Sequence, residues 1–292
     1  MSSKAKKKSR FDHSVSSEYL DVIVLTARSD NYMYIIVGTC SPLLFTHLLF
    51  ETRFIDRRTS GKRNYTHFRN TFYRSSYVAK TQIHTHTDKK TNECGVVDPF
   101  DSKKVVQEVK RRGLNLSCIL TTHSHFDHAG GNKDLLKRVP SISVVYGGKN
   151  DKVSECTKEV EEGDTFNIGK NLSVSVMYTP CHTPGHVCYV VKASDCAPSV
   201  FTGDALFVSG CGNFNTGTPA QMASAFQRLG KLPMNTLVWA GHEYTVSNLA
   251  YACFVEPESK ILRAKTEWAK SQVASKAFTV PSTIQEEHEM KE

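Results

Sequence analysis

The stretch Thr122-His123-Ser124-His125-Phe126-Asp127-His128-Ala129-Gly130-Gly131 sets three imidazoles and a carboxylate within six positions. Imidazole nitrogen and carboxylate oxygen suit zinc, iron or manganese, and the run holds no thiolate, so it does not describe a closed structural zinc site. It predicts an open and therefore catalytic centre. Upstream, Leu116-Ser117-Cys118-Ile119-Leu120-Thr121 is apolar and β-branched and reads as a strand. Downstream, Ala129 to Val139 reads as a helix with Leu135, Leu136 and Val139 on one face. The run is then a strand-to-helix loop. His123 and His125, two apart, can point one way while Asp127 and His128 turn toward a neighbouring position, so one loop starts two metal sites.

Neither site is complete within the run, and three later segments offer the missing ligands. Thr179-Pro180-Cys181-His182-Thr183-Pro184-Gly185-His186 follows the apolar pattern Leu172 to Met177, and its prolines and glycine mark a rigid turn at a strand end. Phe201-Thr202-Gly203-Asp204 closes a short apolar strand in the same way, and Ala240-Gly241-His242-Glu243-Tyr244 follows Leu237-Val238-Trp239. A single His or Asp in a turn is ordinarily a cap or a solvent contact. A series of segments that each end a strand with one ligand-type side chain is a pattern. Cys181 and Cys211 stand beside these segments, but cysteine is usually a small buried hydrophobe. His186 reads as a supporting or packing histidine.

Composition bounds the rest. With 292 residues and 39% hydrophobic content the chain can bury one large core and a small appendage. Nine cysteines without C-x-x-C pairs or a secretory signal suggest reduced thiols in the cytoplasm, a mitochondrial form remaining open. No apolar stretch approaches the ~20 residues that span a bilayer, so no membrane partner is expected. The net charge of +8 hints at nucleic acid, but its distribution removes the hint. Residues 1–10 hold five basic residues, and residues 40–92 hold ten basic against three acidic, which leaves −4 for the remainder. Such a body offers no phosphate track, and no nucleic-acid partner is expected. Residues 1–19 read as a disordered basic tail.

Tyr32-Met33-Tyr34-Ile35-Ile36-Val37 and Cys94-Gly95-Val96-Val97 read as successive strands that a hairpin would join, normally through about 2–5 residues. Here residues 40–92 intervene, without helical or alternating period. They read as an exposed insertion with no structure of its own, with a binding arm as the alternative. Beyond it, Asp101 or Ser102 caps a helix that carries Val105, Val106 and Val109 inward and ends at Gly113. Strands are expected near 142–146, 164–168, 172–179, 187–191, 199–203 and 236–240, with a helix from Ala220 to Leu229. A last helix is expected from Glu258 to Ala274, with Ile261, Leu262, Lys265 and Trp268 spaced for packing. Alternating strands and helices with ligands at strand ends define a layered α/β class.

These residues together resemble the metallo-β-lactamase-fold hydrolases and, within them, glyoxalase II, the hydroxyacylglutathione hydrolase family. The resemblance runs from Leu20-Asp21-Val22 through Asp30-Asn31-Tyr32-Met33-Tyr34, then from Gly95-Val96-Val97-Asp98-Pro99 to about Thr283. The His-x-His-x-Asp-His run specifies only the fold. Leu206-Phe207-Val208-Ser209-Gly210-Cys211-Gly212, Gly241-His242-Glu243-Tyr244-Thr245 and Thr279-Val280-Pro281-Ser282-Thr283 specify the subfamily. The resemblance implies an αββα four-layer sandwich over 20–250, interrupted at 40–92 and followed by a truncated C-terminal helical segment over 251–292. It implies that His123, His125 and His182 hold one metal, that Asp127, His128 and His242 hold a second, and that Asp204 bridges both. The two divalent ions would be zinc, with iron or manganese as alternatives. The nucleophile it implies is a metal-bound hydroxide held by Asp127 and Asp204, attacking the thioester of S-D-lactoylglutathione to give glutathione and D-lactate.

Departures from the family concern substrate. Where the family carries a lysine and a tyrosine that contact glutathione, this chain has Asn213 and Asn215. The basic residues of the family's final helices are expected to be absent as well, leaving Tyr244 as the retained glutathione contact. The chain is therefore expected to act as a monomer on a glutathione thioester with raised KM. Two other readings share the fold: a persulfide dioxygenase with one iron, disfavoured by Asn213-Phe214-Asn215, and a catalytically impaired metal-binding protein.

Overall fold

The computed structural model describes residues 13–16, 20–27, 30–38, 92–194 and 196–290. The 40–92 insertion, apart from its last residue, and most of the 1–19 tail lie outside the described residues.

The first sheet begins with β1 (His13–Ser16), β2 (Leu20–Ala27), β3 (Asn31–Gly38) and β4 (Glu93–Val97), each antiparallel to the one before. β1 lies within the stretch expected as a disordered tail, and those four residues are a correction: they run from Val24 to Asp21 along the edge of β2 and satisfy its backbone groups. β2 alternates, with Leu20, Val22 and Val24 on one face and Ile23, Leu25 and Ala27 on the other. β3 repeats this with Tyr32, Tyr34 and Ile36 against Met33, Ile35 and Val37. Strands apolar on both faces must be covered on both, so this sheet is an inner layer.

Parallel crossovers follow through α1 (Ser102–Arg112), β5 (Asn115–Thr121), α2 (Phe126–Ala129), α3 (Asn132–Arg138), β6 (Val144–Gly148) and β7 (Lys158–Val160). Asp101 caps α1 by accepting the Lys104 N–H, and Gly113, at φ 64°, ends it. The helix expected over Ala129–Val139 is α3, which starts at Asn132 because Gly130-Gly131 separates it from the short α2. Gly131 runs so close to the preceding loop that a Cβ there would stand 1.8 Å from the Pro99 carbonyl oxygen. The break frees α2 to lay Asp127 and His128 across the strand ends.

The second sheet uses β8 (Thr165–Ile168), β9 (Leu172–Tyr178), β10 (Val187–Lys192), β11 (Ser199–Gly203), then α4 (Pro219–Leu229), β12 (Leu237–Ala240), α5 (Thr245–Val255), α6 (Lys260–Ala274), β13 (Ser282–Thr283) and α7 (Ile284–Glu289). Its order is β13-β12-β11-β10-β9-β8, with only β11 and β12 parallel among these pairs. β7, α5, β13 and α7 were not anticipated from sequence. On α6 the buried residues are Leu262, Thr266 and Ala269, whereas Ile261, expected inward, is about half exposed because it lies one position off that stripe.

The two sheets enclose the largest core, which holds Tyr34, Tyr189, Phe201 and Trp239. A second core seals the outer face of the first sheet under Val105 and Val109 of α1 and Leu135 of α3. A third seals the second sheet under Leu229 of α4 and Ile284 of α7. The layers are therefore α, β, β, α. Truncating a fully buried residue such as Ile35 to alanine should cost about 2–5 kcal/mol. This packing brings the chain after β5, the β9–β10 turn and the ends of β11 and β12 to one rim.

Candidate metal centre

Three imidazoles of the predicted set, His123, His128 and His182, arrive at that rim with Nδ1 already engaged. Thr122 donates its hydroxyl to Asp98 Oδ2 (2.7 Å) and so accepts from His123 Nδ1 (3.0 Å), which turns His123 Nε2 inward. His128 Nδ1 lies 3.0 Å from the same Asp98 oxygen, and His182 Nδ1 lies 2.8 Å from the Asn213 carbonyl. Their Nε2 atoms face inward as well. His125 presents Nδ1 instead, 3.1 Å from His123 Nε2 and 3.0 Å from His182 Nε2.

The carboxylates complete the figure. Asp204 Oδ2 stands 3.3 Å from His182 Nε2, while its Oδ1 stands 3.3 Å from His128 Nε2 and 3.5 Å from His242 Nε2. His242 Nε2 is 3.2 Å from His128 Nε2 and 3.8 Å from Asp127 Oδ2. Asn31 donates to that Asp127 oxygen at 3.3 Å. All seven predicted residues thus meet in three overlapping groups, His123 with His125 and His182, His123 with His128 and Asp204, and Asp127 with His128 and His242.

These spacings test whether cations fit. A tetrahedral ion with bonds of ~2.0–2.2 Å needs donor atoms roughly 3.3–3.5 Å apart. The Asp204 oxygens stand 3.3–3.5 Å from His182, His128 and His242, the imidazole pairs are closer at 3.0–3.2 Å, and His242 to Asp127 is wider at 3.8 Å. Facing imidazole nitrogens at 3.0–3.2 Å repel unless a proton or a cation lies between them. Asp204 Oδ1 is buried without a hydrogen-bond partner among the described residues, a costly state that a cation would relieve. The donor set fits divalent metal, with nitrogen and oxygen donors and no thiolate among its members.

Electrostatics divide the cluster. Burial drives the His123 pKa well below its ordinary value, and His128, His186, His182 and His125 push it further down. Burial also acts against the His128 cation, but Asp204 and Asp98 outweigh it and raise that group to about 9. His186, expected as a supporting residue, is fully buried: its Nε2 accepts the Asp204 backbone N–H (3.2 Å), its Nδ1 meets Thr179 Oγ1 (2.8 Å), and its ring stacks on His123.

Tyr244 lies at the mouth, 37% exposed, its ring parallel to that of His242 with centroids 4.8 Å apart. Asn213 and Asn215 are exposed on the loop beside His182. The contact Asn213 makes to the cluster is through its backbone carbonyl, and Asn215 Nδ2 comes within 3.5 Å of His182 Nδ1. Sequence reasoning missed Asp98. It sits at φ 48°, accepts the Thr122 N–H (2.8 Å) as well as the hydroxyl, and fixes the tautomers of His123 and His128 together. The available signal was a lone acid closing an apolar strand, Val96-Val97-Asp98-Pro99.

Comparison with known proteins agrees with this geometry. The family model of the metallo-beta-lactamase superfamily matches residues 89–242, and the chain belongs to that superfamily, whose fold implies divalent metal ions. Within it, the chain is a member of the hydroxyacylglutathione hydrolase family, whose C-terminal family model matches residues 243–291. It is 45% identical over 204 residues to the cytoplasmic hydroxyacylglutathione hydrolase of Arabidopsis thaliana, covering 69% of this chain and 79% of that one. It is 39% identical over 203 residues to a hydroxyacylglutathione hydrolase-like protein of Gallus gallus, covering 68% and 71%. Among solved structures, ETHE1 from Myxococcus xanthus is similar at 33% identity and a TM-score of 0.47, over 54% of this chain and 68% of that one.

Proposed function

We propose that this chain is a dimetal thioester hydrolase that cleaves S-2-hydroxyacylglutathione, S-D-lactoylglutathione in particular, to glutathione and a 2-hydroxy acid such as D-lactate. The observation that carries the reading is one buried carboxylate, Asp204, with an oxygen toward each of two groups of ligand-type side chains. His123, His125 and His182 would hold one ion, Asp127, His128 and His242 the other, and Asp204 would serve both. Zinc is the favoured ion, with iron or manganese acceptable to the same donors. When bound, two such ions supply a shared water of pKa lowered toward about 7 and a Lewis acid for the acyl carbonyl.

The chain's own groups do the positioning. Asn31 aims Asp127, Asp98 orients two imidazoles, and His186 anchors the backbone of Asp204. Hydrolysis adds the oxygen of water to the acyl carbon, breaks the C–S bond and leaves glutathione with a proton, so no protein nucleophile is required. Cys181 suits none, since burial raises its pKa. Burial and then Asp30 push the Tyr244 phenol up to about 12, so it stays protonated and can donate to substrate at neutral pH. Asn213 and Asn215 would meet the glutathione end without charge, and a charge-assisted hydrogen bond is stronger by about 1 kcal/mol or more. KM should therefore be raised while the hydrolytic step is retained.

The reading includes a catalytic body over 20–250, a C-terminal segment over 251–292, and a monomer acting in the cytoplasm. Among the described residues no helix is long and apolar enough to cross a membrane. The test is hydrolysis of glutathione and non-glutathione thioesters by the purified protein, with metal counted by elemental analysis. Two ions per chain and turnover of S-D-lactoylglutathione support the reading. One iron, or no thioester turnover, overturns it.

A further inference from the structure

Asp151 has no place in the metal cluster, yet it is 3% exposed and lies behind it. Its Oδ2 accepts the Ser124 N–H at 2.5 Å, and its Oδ1 accepts the Gly185 N–H at 3.0 Å. Ser124 is the residue between His123 and His125. Gly185 follows His182 by three positions, in the turn between β9 and β10. One carboxylate therefore ties together the two loops that supply the three imidazoles of the first group, and nothing else among the hydrogen bonds of the described residues joins Ser124 to that turn.

The segment carrying Asp151 is shaped for the task. It runs from the end of β6 and is flanked by two left-handed residues, Asn150 at φ 70° and Lys152 at φ 53°. The backbones meet at glycine distance: a Cβ on Gly148 would stand 1.7 Å from the Gly185 carbonyl oxygen, and one on Gly185 would stand 2.5 Å from the Asp151 nitrogen. Strained backbone held in place by close packing is the ordinary mark of a segment whose position matters to a site.

We propose that Asp151 is a positioning residue that sets the spacing of His123 and His125 against His182, and so governs metal occupancy of that half of the centre alone. The inference rests on the dimetal reading above. Asp151 acts on backbone only, so its loss should not change the protonation of any ligand; it should let the two loops part. Asp151→Asn keeps the shape but exchanges one acceptor for an amide N–H that cannot accept, leaving Ser124 or Gly185 unpaired.

The test measures zinc affinity in two backgrounds, each retaining one half of the centre. In His242→Ala, which leaves the His123, His125 and His182 half, adding Asp151→Asn should weaken zinc binding about 10–100-fold. In His182→Ala, which leaves the Asp127, His128 and His242 half, the same change should leave affinity within about twofold. Equal weakening in both backgrounds, or none in either, overturns the proposal, because a merely structural role would not select one half. If Asp151→Asn fails to fold, amide exchange of the metal-free wild type decides. Ser124 and Gly185 exchanging as slowly as the β5 amides supports the clamp, and exchange at the rate of exposed loops overturns it. A wild type that holds fewer than two zinc ions overturns the dimetal reading instead.

Discussion

The two halves of the centre are braced in different currencies. Behind His123, His125 and His182 stands Asp151, which touches only backbone N–H groups, and the three imidazoles lie within reach of one another. Behind His128 stands Asp98, which touches the ring itself, and the neighbouring positions bring Asp127 beside His242. The first half presents three imidazoles in one array, with burial lowering the pKa of His123 and His125. The second holds charge, and an ion entering it must displace the proton that Asp204 and Asp98 stabilise on His128. Asp98 also reaches His123 through the Thr122 hydroxyl, so it acts on both halves, whereas Asp151 acts on the loops of the first.

The largest expected effect removes what the halves share. Asp204→Ala should lower kcat/KM by about 10³-fold or more and reduce bound metal below two per chain, read by steady-state kinetics and elemental analysis. If activity survives with both ions bound, the halves do not depend on a common carboxylate. Next, Asp98→Asn removes an acceptor from a ligand ring and should cost about 10–100-fold in metal affinity. Its signature differs from that of Asp151→Asn: the pH at which metal loads should move lower, because His128 no longer holds its proton so tightly.

A smaller effect separates support from substrate. Asn213→Lys leaves the carbonyl that holds His182 in place, so metal content and kcat should stay within about twofold while KM for S-D-lactoylglutathione falls by up to about tenfold. A loss of metal would mean that the side chain, and not the backbone, carries the support. The smallest effect concerns stability without metal. His128, raised above its ordinary 6.5 to about 9, contributes stability that is full below pH 6.5 and fades as pH climbs through 9. His123, pulled below 6.5, contributes stability that is full above that pH and fades as pH falls through its lowered value. Tm of the metal-free protein should therefore fall on both sides of neutrality, and Asp98→Asn should flatten the alkaline limb while sparing the acid one.

The ligand positions were legible because their chemistry is concentrated: three imidazoles and an acid in one loop admit few other uses, and each later ligand ends an apolar strand beside glycine or proline. The sandwich was legible for a related reason, since strands such as β3 are apolar on both faces and helices such as α1 carry plain stop signals. The supports were not. Asp98 and Asp151 act on groups 24 or more positions away; Asp98 does close an apolar strand, but nothing in the neighbourhood of Asp151 distinguishes it from a turn residue. The helix expected over 129–139 formed as α3 but starts at Asn132, because a tertiary contact, Gly131 against the Pro99 carbonyl, overrides local propensity at its N-terminal end. β13 escaped because two residues make too short a strand to show a period, and α7 because its six residues are too few for a helical one, although Thr283 and Glu286 form a capping box at its start.

The place of β13 has a consequence for how the protein is made. Leu237 and Val238 of β12 pair with Thr283 and Ser282, and Glu287 of α7 accepts the Ser209 N–H within the loop that leads on to Asn213. His242 leaves the far end of that same β12. During synthesis the strand bearing His242 is complete about forty residues before its outer neighbour β13. A truncation before Ser282 should therefore leave β12 with an open edge and the Ser209 N–H without its carboxylate, and yield a chain that collapses around its core yet binds less metal, read by elemental analysis.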